Sequence, residues 1–208
     1  MRRVVIVGWL LSMVLVVAGP GIATALDSDA PFVRKGLSIE GRVGPYWSPV
    51  GIGPDDPSFD FVRLAARLGW MLNDASQWSG PLRGSFEAIF EVSGGRVFDG
   101  FGDWLVGPAV WIRYNFVQPG WRVVPYLQGG LGLVFSDAYQ DKAQDAIGTN
   151  SEFTVQGAVG MRFLLDEHWS LDLEAGYEHI SNADIAKRND GVNALGASAG
   201  FTYFFDVR

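Results

Sequence analysis

The side chains best suited to chemistry lie close together near the end of one segment. The chain has 208 residues, no cysteine and two histidines, His168 and His179. His179 is followed two positions later by Ser181, and side chains at positions i and i+2 of a β-strand point to the same side. The imidazole could then take the serine proton and make Ser181 a nucleophile. Polar pairs are also common at strand ends, so a catalytic interpretation requires a third group that orients the imidazole.

Asn193 is the candidate for this third group. In the final segment, Asn193 lies on the same side of the strand as the apolar residues, and His179 and Ser181 do so in the segment before it. A hairpin of the two segments would therefore bring all three residues together. The amide carbonyl of Asn193 can accept the Nδ1–H of His179, which leaves Nε2 free to accept from Ser181. His168 has the opposite parity and precedes the strand, where a solvated turn histidine is the simpler interpretation.

The elements that position these residues are predicted to be β-strands. Apolar and other residues alternate with a period of two through most of the chain, so one side of each segment is apolar and the other carries charges. Each segment is long enough to cross a bilayer as a tilted strand, for which about 9–11 residues suffice. The eight predicted strands cover residues 37–47, 61–73, 82–93, 104–116, 121–135, 153–165, 169–181 and 195–205.

The charged sides of the strands predict a filled barrel interior. They carry Glu40, Arg42, Arg63, Arg67, Arg83, Glu87, Glu91, Arg113, Arg122, Arg162, Asp172, Glu174 and Glu178. An eight-stranded barrel is just wide enough for side chains to fill, and near-balanced charges can pair there. A soluble β-sandwich or lipocalin-like barrel is the alternative, but its inward side is apolar. We therefore predict an all-β, eight-stranded antiparallel transmembrane β-barrel with a closed, charge-filled interior.

Composition agrees with a membrane barrel and excludes several classes. A net charge of -7 and the absence of cysteine argue against nucleic-acid binding, disulfide-stapled domains and cysteine-rich metal sites. Asp55, Asp56 and Asp141 lie in separate predicted loops and are interpreted as solvated acids, so we expect no metal and no cofactor. Aromatic residues near strand ends indicate membrane-interface belts: Trp47, Trp70, Trp104, Trp121, Trp169, Tyr177 and Tyr203.

Residues 1–25 have the pattern of a signal peptide. A cationic start precedes an apolar run at 4–18, and Ala23-Thr24-Ala25 has the small residues that a signal peptidase reads. We predict an exported protein with one mature domain, residues 26–208. Loop-like stretches at 48–60, 94–103, 136–150 and 182–192 follow the odd-numbered strands and should face outward if the N-terminus is periplasmic. Whether the barrel forms a homodimer is left open.

The C-terminal motif resembles that of a known enzyme family. His179-Ile180-Ser181-Asn182-Ala183, followed by Asn189-Asp190-Gly191 and a strand from Asn193, resembles the signature of the outer-membrane lipid A 3-O-deacylases, the PagL family, often labelled acyloxyacyl hydrolases. The stretch from Val124-Pro125-Tyr126-Leu127 to Gly132 is also similar to that family.

The resemblance implies a serine esterase that removes the 3-O-linked acyl chain of lipid A in the outer leaflet of a Gram-negative outer membrane. It implies Ser181 as nucleophile and His179 as base, with Asn182 and a backbone N–H near Ala183 or Asp184 as oxyanion donors. The loop cations Lys187 and Arg188 could contact substrate phosphates or be solvated charges.

One position departs from the family pattern. The family's acid is a Glu twelve residues after the serine, and this chain has Asn193 there. Outer-membrane phospholipase A is similar in combining His-x-Ser with Asn at that spacing, so a phospholipase is one alternative. A non-catalytic structural or adhesion barrel is the other.

Overall fold

The structure, a computed structural model, describes residues 27–48 and 58–206. The predicted signal peptide, Asp55 and Asp56 lie outside the described residues. The eight strands are β1 Leu37–Trp47, β2 Asp60–Met71, β3 Ser85–Asp99, β4 Trp104–Asn115, β5 Val123–Ser136, β6 Ser151–Leu164, β7 Trp169–Ser181 and β8 Val192–Phe204. Short 3-10 turns occur at Ala75–Gln77, Gly80–Leu82 and Ala138–Gln140.

The strands form a closed antiparallel barrel in chain order, with β8 paired to β1. This confirms the predicted fold class. The last residues of β1, β3, β5 and β7 lie at one end of the barrel, called here the loop end. The first residue of β1 and the last of β8 lie at the other end, called the terminal end. No helix in the described residues is long and apolar enough to span a bilayer.

The predicted bounds of β3 and β8 were partly wrong. β3 begins at Ser85 because Gly80–Leu82 form a turn instead of strand. It also continues to Asp99, although residues 94–103 were predicted as loop. Gly94 and Gly95 interrupt the alternation of side chains, but their backbones still pair with β2 and β4. β8 begins at Val192, before the apolar alternation becomes visible in the sequence.

The outer side of the barrel is apolar. Leu64 and Leu131 are exposed over 66% and 60% of their surface, as side chains facing a hydrocarbon solvent would be. The belt residues lie on this side near both ends of the barrel. Trp47, Trp104 and Tyr177 lie toward the loop end, whereas Trp70, Trp121, Trp169 and Tyr203 lie toward the terminal end.

The interior holds the predicted charges, with two corrections. All of them are buried except Arg83 and Arg122. Arg122 is exposed in the connection before β5, and Arg83 lies before β3, where it pairs with Asp29 at 2.5 Å. Both were misplaced because the predicted strands began two or three residues too early.

Ion pairs connect opposite walls of the interior. Arg162 on β6 pairs with Glu87 on β3 at 3.0 Å, in addition to its cross-strand neighbour Asp172 at 3.2 Å, while Arg113 on β4 pairs with Glu40 on β1 at 3.1 Å. A buried charge is tolerated only when such partners compensate for lost hydration. The network therefore links strands that are distant in the chain and fills the space between them.

Apolar clusters close both mouths of the barrel. At the terminal end Phe32, from the segment before β1, packs with Met71, Val117, Val124, Leu164 and Phe204. At the loop end the cluster includes Tyr46, Phe59, Phe61, Phe101, Leu105, Val134, Ile147, Ile180 and Val192. In the described part of the chain, these clusters and the filled interior leave the outer surface of the barrel open to a bulky substrate.

Candidate active site

The β7–β8 hairpin sets the position of the three predicted residues. His179 lies directly opposite Asn193, and Ile180 lies opposite Val192. Ile180 is buried in the cluster at the loop end. Because side chains alternate along β7, burial of Ile180 turns His179 and Ser181 to the outer face, where both are partly exposed.

A chain of hydrogen bonds joins the three side chains. His179 Nδ1 lies 2.9 Å from Asn193 Oδ1, and His179 Nε2 lies 3.1 Å from Ser181 Oγ. With the ring proton on Nδ1, His179 donates to the amide carbonyl and accepts the serine hydroxyl on Nε2. This is the geometry in which a neutral imidazole can act as general base toward a serine.

Tyr177 extends the same chain. Its hydroxyl donates to Asn193 Oδ1 at 2.6 Å, so this oxygen accepts from Tyr177 and from His179. From the sequence, Tyr177 was predicted only as a residue of the aromatic belt, and this contact was not predicted. The available signal was its parity, since Tyr177 lies two residues before His179 on the same side of β7.

Asn182 organises the loop that follows Ser181. It is only 1% exposed, and its side-chain Nδ2 donates to the carbonyl of Arg188 at 2.8 Å. Its backbone N–H donates to Asn189 Oδ1 at 2.7 Å. The next two residues, Ala183 and Asp184, have φ angles of 53° and 63° and are exposed. The chain therefore turns sharply beside the serine, and their backbone N–H groups lie at this turn.

Arg188 ties this loop to the β5–β6 loop. Its guanidinium donates to the carbonyls of Asp141 and Tyr139, each at 2.8 Å, and of Gln144 at 3.1 Å. From its sequence position Arg188 could contact a substrate phosphate or be a solvated charge, whereas in the structure its guanidinium holds two loops together. Lys187 is exposed.

Gly191 allows the loop to close against the imidazole. Its φ is 77°, and a Cβ at this position would lie 3.0 Å from His179 Cε1. Its backbone N–H donates to the carbonyl of Ala146 at 3.1 Å. A side chain here would strain the backbone and push on the ring, so glycine is required.

His168 has a separate environment at the terminal end. Its Nε2 lies 2.9 Å from Asp206 Oδ1 in an exposed turn. The hydrogen bond and the attraction of this carboxylate raise the pKa of His168. Within residues 27–48 and 58–206, no group of three or more His, Asp or Glu side chains could hold a metal ion.

Comparisons with solved structures show what this fold is similar to. Neisserial surface protein A superposes with a TM-score of 0.59 at 15% identity, covering 81% of this chain and 97% of that one. The outer membrane enzyme PagL gives 0.55 at 20% identity, covering 78% and 97%. The N-terminal β-barrel domain of Pseudomonas aeruginosa OprF gives 0.52 at 13% identity, covering 83% and 98%. At these identities the likeness concerns the fold, that of small outer-membrane barrels.

A family comparison is more specific. No curated protein matches the chain. The family model described as "Lipid A 3-O-deacylase (PagL)" matches residues 60–202, which include all of β2 to β7, the β7–β8 loop and most of β8. The chain therefore belongs to the lipid A 3-O-deacylase (PagL) family of outer-membrane β-barrels.

Proposed function

We propose that this protein is an esterase that removes the 3-O-linked acyl chain of lipid A, with Ser181 as nucleophile, His179 as general base and Asn193 as the residue that orients the imidazole. The observation that carries the proposal is the chain of hydrogen bonds from Asn193 through His179 to Ser181, on the outer face of the barrel. Membership of the deacylase family supports the substrate.

The proposed reaction has two steps. Ser181 Oγ attacks the ester carbonyl while its proton passes to His179 Nε2, and the imidazolium then protonates the departing sugar oxygen. A water molecule next gives a proton to His179 and attacks the acyl-enzyme. Collapse of the second intermediate returns that proton to Ser181 Oγ and releases a 3-hydroxy fatty acid.

The loop after Ser181 can supply the oxyanion donors. Backbone N–H groups of Ala183 and Asp184 lie in the sharp turn directly after Asn182, and fixed N–H groups stabilise the charge that develops on an ester oxygen. The Asn182 amide already donates one hydrogen bond to Arg188. We assign Asn182 to holding the turn, because its side chain is buried, donates to Arg188 and accepts from the backbone N–H of Ala186.

The outer face also offers room for an acyl chain. A groove of about 510 Å³ lies beside Tyr177 and is lined by Gly157, Val159, Ala175 and Leu195, among others. Glycine and alanine lower the surface there, while the larger side chains form the sides. We propose that the site faces the outer leaflet, with its polar atoms at the level of the aromatic belt and the groove within the acyl region.

The test is the mass of lipid A from a Gram-negative host that expresses the full chain. Wild type should remove one 3-hydroxyacyl chain. Ser181→Ala and His179→Asn should each lower the rate by about 10³-fold or more, because the nucleophile and the base act as a unit. Ser151→Ala is the matched control, since Ser151 is an exposed residue at the same end of β6. Unchanged lipid A from folded, inserted wild type would refute the proposal.

A phospholipase is the second candidate, and Asn193 is the observation that favours it. Purified protein in detergent should be offered lipid A and a diacyl phospholipid in parallel. Release of fatty acid from the phospholipid alone would mean that the substrate is a phospholipid, with Ser181 still the nucleophile. Release from neither, by folded protein, would favour a structural or adhesion barrel.

A further inference from the structure

The hydroxyl of Tyr177 contacts the candidate triad from the side away from the loops. The register places Tyr177 opposite Leu195 and places His179 opposite Asn193. The phenol therefore reaches Asn193 diagonally across the hairpin, a distance that aromatic side chains can span. An interface tyrosine ordinarily directs its hydroxyl to water, but this one donates to Asn193 Oδ1 at 2.6 Å.

An asparagine needs to be oriented in a way that a carboxylate does not. One end of its amide accepts hydrogen bonds and the other donates them. If the amide of Asn193 turned over, Nδ2 would face His179 Nδ1 and favour the tautomer with its proton on Nε2. That tautomer cannot accept the proton of Ser181, and the wrong tautomer of a catalytic histidine is costly.

We propose that Tyr177 is a positioning residue, whose phenol holds the Asn193 amide with its oxygen toward His179. Its effect on rate rests on the proposed function. A phenol donates hydrogen bonds better than it accepts them, so its contact favours Oδ1 over Nδ2. Because Oδ1 then receives two donors, the amide orientation and the tautomer of His179 are selected together. The phenol is uncharged and acts on orientation, so substrate affinity should not depend on it.

This role predicts a dependence on the identity of residue 193. Asn193→Asp changes the amide to a carboxylate of the same shape, and either oxygen of a carboxylate can accept from His179. Loss of the Tyr177 hydroxyl should therefore matter with asparagine and have little effect with aspartate. A hydroxyl that merely packs in the wall would matter equally in both cases.

The experiment is a double-mutant cycle on protein folded in detergent. In the wild-type background Tyr177→Phe should lower kcat, and the rate at which a fluorophosphonate probe modifies Ser181, by about five-fold with KM unchanged. In the Asn193→Asp background the same substitution should change these rates by less than about two-fold. Tyr203→Phe, which removes another belt hydroxyl at the terminal end, is the control and should leave them unchanged. Equal losses in the two backgrounds overturn the proposal.

Nitrogen-15 spectra of the two histidines give a readout that does not depend on turnover. Tyr177→Phe should shift His179 from the Nδ1-protonated toward the Nε2-protonated tautomer, while His168 stays unchanged. If wild type fails to react with the probe but this shift occurs, the proposed function fails and the positioning role stands. If the tautomer does not change, the positioning role fails even in an active enzyme.

Discussion

The barrel interior and the outer face of β7 and β8 both contain hydrogen-bonded polar networks, but their chemistry differs. In the interior the links join ionised groups, such as Arg42 with Glu40 at 2.5 Å and Arg67 with Glu174 at 3.1 Å. On the outer face, Tyr177, Asn193, His179 and Ser181 can all be uncharged while they are linked.

The difference follows from what surrounds each network. An interior carboxylate is close to guanidinium groups that compensate for its lost hydration. A carboxylate at position 193 would lie beside Tyr177 and His179, near the apolar wall, where an ionised group is costly. An asparagine avoids that cost, but it stabilises the imidazolium formed during the reaction less well than a carboxylate does. The interior network therefore stabilises the fold, and we expect the outer network to increase the rate of deacylation.

The largest expected effect on stability comes from breaking the interior network at Arg162. Arg162→Met should lower the free energy of unfolding by about 3–5 kcal/mol, because Asp172 and Glu87 lose a buried cationic partner. Urea titration in detergent measures this, with Arg122→Met, which removes an exposed charge, as control. Deacylation per folded molecule should stay near the wild-type value. A loss of rate in the folded variant would mean that the two networks are coupled.

Asn193→Glu makes the outer network resemble the interior one. It restores the family's acid, so the rate should stay equal or rise by up to about ten-fold, since a carboxylate stabilises the imidazolium better. The comparison is kcat on lipid A for wild type and the variant, with Asn193→Ala as the control that removes the acceptor. A large loss in the glutamate variant would contradict the orienting role of Asn193.

The two regions also differ in how well the sequence predicts them. Interior charges and strand number follow from alternation, because parity alone assigns a side chain to one side of a strand. Parity also placed His179, Ser181 and Asn193 on one face. It could not reveal the diagonal reach of Tyr177 or the carbonyls that hold Arg188, because these depend on rotamers and on the folding of two loops against each other. Strand ends were missed where glycine, as at Gly94 and Gly95, leaves no side chain to show the period.

A third polar contact lies in water at the surface, and we expect it to have the smallest effect on stability. His168 at the terminal end contacts Asp206, and this hydrogen bond raises the pKa of the imidazole. A histidine whose pKa is higher in the folded than in the unfolded chain stabilises the fold while it is protonated. That contribution is fully present below the unfolded value of about 6.5 and is lost as the pH rises through the raised folded value.

Asp206→Asn should therefore lower Tm slightly at a pH of about 5, where His168 is protonated, and leave Tm unchanged at a pH of about 9. Thermal melts in detergent measure this, and high salt should reduce the difference because the pair is exposed. His168→Gln should abolish the effect of Asp206→Asn at a pH of about 5. A Tm difference that is larger at alkaline pH would have the wrong sign for this contact and would assign the stability to another partner of Asp206. His179 and its uncharged acceptor Asn193 should show no such dependence on Asp206, since they lie at the other end of β7.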